Sequence, residues 1–154
     1  MKPEEVLKKT TAYINNLEKA KRLKVKVGLP SEKIGGKVYG DGTSILQVGI
    51  WHEYGRGNNP MRSFIRAPFI TKREEMNAYV AIQFNNVFEN GTDAEVALSR
   101  VGVKGMNICK GAFRERGYGE WKDLSDATKK AKGSDAPLVD TGVLRNSITW
   151  SLEG

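Results

Sequence analysis

The sequence predicts an α+β fold in which a small antiparallel sheet packs with several helices and an extended C-terminal arm or loop follows. Residues 23–29 and 147–152 alternate apolar and polar side chains with a period of two, which is typical of strands with one buried face. Apolar residues recur at helical spacing elsewhere up to about residue 112. Residues 118–146 are mostly polar. The length of 154 residues suits one domain.

We therefore expect a single domain over residues 1–154. Its core helices and first strand would occupy residues 1–117, the polar arm or loop residues 118–146, and the closing strand residues 147–152. Antiparallel pairing of the two strands would close the domain.

The first predicted helix covers residues 3–21. Pro3 suits a first helical turn, and Glu4 and Glu5 complement the positive end of the helix dipole. One stripe holds its apolar side chains: Val6, Leu7, Tyr13, Ile14 and Leu17. Glycine-rich residues 31–43 predict a flexible loop or loose hairpin.

A second helix is expected over residues 45–54, opened by a capping box of Ser44 and Gln47 and ended by Gly55. Another runs to about residue 89, with a stripe that begins at Phe69. Thr92 and Glu95 form a second capping box.

The helix that follows this box contains three glycines, which either permit close packing or break the helix near Gly105. They are Gly102, Gly105 and Gly111.

Few residues offer catalytic or metal-binding chemistry. His52 is the only histidine and Cys109 the only cysteine, so neither a histidine cluster nor a disulfide can form within one chain. No glycine-rich phosphate loop is present. The aspartates of the C-terminal third are interspersed with lysines, as on a solvated surface. We expect no cofactor, no metal and no enzymatic activity, and a partly buried, structural His52.

The chain carries a net charge of +7, and ten basic against four acidic residues lie in positions 1–40. Arg56, Arg62 and Arg66 near Tyr54 and Phe64 give the mixture of charge and aromatic rings that nucleic-acid surfaces use. One hypothesis is therefore a basic nucleic-acid-binding protein of a phage or plasmid. No apolar run approaches the roughly 18 residues of a membrane helix, so we expect no membrane partner.

Two stretches resemble the virion morphogenesis and tail completion proteins of tailed bacteriophages, which join head to tail at the neck. Residues 121–128 (WKDLSDAT), Lys132–Gly133 and residues 137–148 (PLVDTGVLRNSI) resemble the pattern W-x-x-L-S-x-x-T, K-G, L-x-x-T-G-x-L-x-x-S-I. Residues 48–55 (VGIWHEYG) and 60–69 (PMRSFIRAPF) resemble a helix that ends in E-Y-G or E-F-G, followed by P-x-R-P-F-hydrophobic-R-x-A/P-F. Ser63 stands where proline is common.

The resemblance implies a structural protein of the head-tail junction, acting as a homo-oligomeric ring in the virion neck or tail and assembled in the host cytoplasm. Its partners would be its own copies, neighbouring neck, portal-adaptor, tail-tube or tail-terminator proteins, and possibly DNA passing through the lumen. Candidate subunit-interface residues come from both stretches. They are Arg62, Phe64, Arg66, Phe69, Trp121, Leu124, Leu138, Leu144 and Arg145.

Overall fold

The computed structural model describes residues 2–56, 60–126, 129–130 and 142–154. Its helices and its two-stranded antiparallel sheet confirm the predicted α+β class. In chain order the elements are α1 (Pro3–Arg22), β1 (Lys24–Gly28), α2 (Ser31–Ile34), α3 (Ile45–Tyr54), α4 (Arg66–Thr71), α5 (Arg73–Asn90), α6 (Ala94–Arg114), α7 (Val143–Ser147) and β2 (Thr149–Glu153).

Helix α6 forms the centre of the fold. Its apolar stripe is buried from Ala94 to Phe113, and the helix continues unbroken through Gly105. Asp93, rather than the predicted Thr92, caps it: the Asp93 carboxylate accepts hydrogen bonds from the amides of Glu95 and Val96. The aspartate carboxylate satisfies amides that have no partner inside the helix.

The sheet pairs β1 with β2, as predicted, in a register that sets Val25 opposite Leu152 and Val27 opposite Trp150. It packs on α6 through glycines. A Cβ atom at Gly102 would lie 2.5 Å from Trp150 Cε3, and one at Gly105 would lie 3.0 Å from Val27 Cγ2. Of the two roles that the sequence left open for these glycines, close packing is therefore the observed one.

Several local predictions need correction. Ser44 precedes α3 but makes no capping hydrogen bond through its side chain. The helix predicted from Phe69 is two helices that meet at Lys72, and Phe69 belongs to the first. Residues 31–43 include the short helix α2 and, with Ser44, an isolated bridge from Val38.

In the part of the chain that the structure describes, helix α1 is attached along its C-terminal half. The Asn16 side chain donates to the Thr92 carbonyl and accepts from the Ala94 amide, both at 2.8 Å. Lys19 reaches Asp93 and Glu95 at 3.0 Å each. Every residue from 2 to 15 is exposed, so the first half of the helix projects from the body.

The described part of the C-terminal segment packs on the body of its own chain. Trp121 and Leu144 are 7% and 4% exposed and belong to the same apolar cluster as Phe64 and Phe113. Both side chains, which the sequence places among the candidate subunit-interface residues, are therefore packed within their own chain. Leu138 lies outside the described residues.

Candidate subunit interface

A buried carboxylate organises the segment between α3 and α4. Glu53, near the end of α3, is 5% exposed. Its Oε2 accepts from the amides of Phe64 and Ile65 at 2.9 and 3.0 Å, and its Oε1 accepts from the Ser63 hydroxyl at 2.8 Å. Arg66 adds its amide and its Nε, each 3.0 Å from Oε1. One side chain thus holds four successive residues, 63–66, in place.

Ser63 extends this network into α4 and towards the C-terminal segment. Its hydroxyl donates to Glu53 and accepts from the Ala67 amide at 2.9 Å, which proline at this position could not do. Its carbonyl accepts from the indole Nε1 of Trp121 at 2.9 Å.

Arg62 is 6% exposed, and it too makes hydrogen bonds within its own chain. Its amide donates to the His52 carbonyl at 2.8 Å, while Nε and Nη2 donate to the Lys122 carbonyl at 3.3 and 3.1 Å. Burial lowers the pKa of its guanidinium. His52 itself is half-buried in α3.

Aromatic rings beneath the network connect the segment around Phe64 with the segment around Trp121. Phe113 of α6 lies between Phe64 and Trp121, with centroid distances of 5.4 Å to each. Edge and tilted contacts of this kind add to the apolar burial. The described parts of the two stretches that carry the phage resemblance, far apart in sequence, therefore meet at the C-terminal end of α6.

Outside this network lies an exposed surface that we call the α3–α4 surface. It comprises Ile50 and Tyr54 of α3, Met61, and Arg66 and Ile70 of α4. The Arg66 guanidinium stacks 4.3 Å from the Tyr54 ring centroid, and its Nη2 lies 4.0 Å from the Met61 sulfur. Tyr54 and Ile70 are 61% and 75% exposed. Tyrosine, methionine and arginine are the residues that protein interfaces enrich.

Leu138 aside, which lies outside the described residues, the predicted interface residues fall into two groups. Arg62, Phe64, Trp121 and Leu144 are buried in the chain and offer little surface to a neighbour. Those with accessible side chains are Arg66 and Arg145, which are exposed, and Phe69 and Leu124, which are half-buried. Only Arg66 belongs to the α3–α4 surface.

Sequence reasoning missed the role of Glu53 and the exposure of Tyr54, Met61 and Ile70. A signal for Glu53 was present, because a glutamate inside the mostly apolar stretch 45–54 must find hydrogen-bond donors once buried. No comparable feature of the sequence indicated that Ile70 is exposed, because its exposure depends on the break between α4 and α5.

Two further features bear on reactivity: the state of the Cys109 thiol and the grouping of metal-ligating side chains. Burial raises the pKa of the Cys109 thiol to about 12, with the Glu53 carboxylate adding to the effect, so the nucleophilic thiolate is scarce at neutral pH. Among the described residues, no three histidine, cysteine, aspartate or glutamate side chains lie together as metal ligands. The described helices include none with the length and hydropathy to cross a bilayer.

Comparisons of the chain with protein-family models, with curated proteins and with solved structures found no match.

Proposed function

We propose that the chain is a structural protein of the bacteriophage head-tail junction, forming a homo-oligomeric ring that completes the tail or neck and joins it to the DNA-filled head. It acts by binding its own copies and neighbouring neck or tail proteins, and it performs no catalysis. Its place of action is the virion, and its partners include the DNA in the lumen only as a passing polymer.

The observation that carries the proposal is the union of the two resembling stretches in one cluster. Glu53 of the E-Y-G element bonds the backbone of the arginine segment, and Trp121 of the W-x-x-L-S element bonds Ser63 of that segment. Residues that form one folding unit explain why such patterns occur together in one chain. This supports the resemblance as a whole rather than either half of it.

The distribution of charge supports a protein partner over nucleic acid. Several lysines of the basic N-terminal region are engaged with carboxylates: Lys19 with Asp93, Lys21 with Glu18, and Lys26 with Glu153 at 2.6 Å. Lysines paired in this way are less able to contact phosphates.

The proposal is tested on the purified chain by light scattering and negative-stain electron microscopy. We expect a discrete oligomer that appears as a ring with a central channel. A DNA mobility shift at about 50 and 200 mM salt is the counter-test, because phosphate-dominated binding weakens steeply over that range. A monomer that binds DNA tightly with a steep salt dependence would refute the junction protein and favour the nucleic-acid-binding alternative.

A further inference from the structure

We draw no further inference here: the strongest candidate, the exposed apolar face of the projecting half of α1 around Leu7 and Ile14, carries none because nothing in the described part of the chain shows what covers it.

Discussion

The network around Glu53 and the projecting half of α1 use their residues in opposite ways. In the first, charged and aromatic side chains are buried and satisfied within the chain, so that Glu53 alone accepts five hydrogen bonds. In the second, apolar side chains such as Leu7 and Ile14 face solvent. The residues that carry the phage resemblance thus build the subunit, and surface free for partners lies in part where no resemblance was noted.

Removing the Glu53 carboxylate should have the largest effect on stability. Glu53→Ala leaves buried amides and the Ser63 hydroxyl without an acceptor, and we expect a loss of about 4 to 5 kcal/mol in the free energy of unfolding. Urea denaturation followed by tryptophan fluorescence measures it. Glu89→Ala, at an exposed position of α5, is the control and should change stability by less than about 0.5 kcal/mol. Equal midpoints for the two variants would contradict the central role of Glu53.

Trp121→Ala should be the next most damaging change. It removes a ring packed on Phe113 and the hydrogen bond to the Ser63 carbonyl, at a cost of about 3 to 4 kcal/mol. Trp121→Phe keeps much of the packing and should lose about 1 to 2 kcal/mol. Thermal unfolding by circular dichroism checks both variants. If Trp121→Ala unfolds at the wild-type temperature, the indole is not a core residue in solution.

The sequence predicted the elements that depend on local pattern. The strands, α1 and α3 appear close to their expected bounds because periodicity and terminal glycines act over a few residues. It did not predict that Trp121 and Leu144 pack inside their own subunit, because a polar segment with sparse apolar anchors is equally compatible with packing on a neighbour. That choice depends on the apolar cluster around Phe64 and Phe113, which only the folded chain contains.

The candidate interface was predictable to a smaller degree. Arg66 was predicted as an interface residue because it belongs to the resembling stretch. The exposed apolar residues around it were not predicted. Tyr54 and Met61 contact Arg66 because the hydrogen bonds of Glu53 fix the path of the chain between α3 and α4. Contacts across such a turn leave no periodic trace in the sequence.

Asp93 offers a smaller effect with a defined dependence on pH. Its hydrogen bond with the Lys19 ammonium is the main cause that lowers the pKa of its carboxyl below the ordinary value. This contribution is therefore present above the unfolded-state pKa and lost as the pH falls through the folded-state pKa. Asp93→Asn keeps the helix cap but loses the charge, and should cost at most about 1 kcal/mol at neutral pH. The difference from wild type, measured by urea unfolding, should shrink as the pH is lowered from about 5 to about 2; a constant difference would exclude the ion pair as its source.

Charge placed on Leu7 and Ile14, two exposed apolar residues that we call the α1 seam, should have the smallest effect on the subunit and a large one on assembly. Leu7→Glu and Ile14→Glu alter side chains that already face solvent, so the free energy of unfolding should stay within about 0.5 kcal/mol of wild type when measured below the assembly concentration. If the oligomer covers the α1 seam, the same glutamates would have to be buried in an apolar contact, which costs far more than their exposure in the monomer. Sedimentation analysis should therefore show the assembly weakened at least tenfold in each variant. Lys8→Glu, one residue from Leu7 and off the seam, separates the loss of apolar contact from the change of charge and should weaken assembly much less. If all three variants assemble as the wild type does, the seam is a solvent-facing surface in the oligomer, and the contrast between the two regions would concern stability alone.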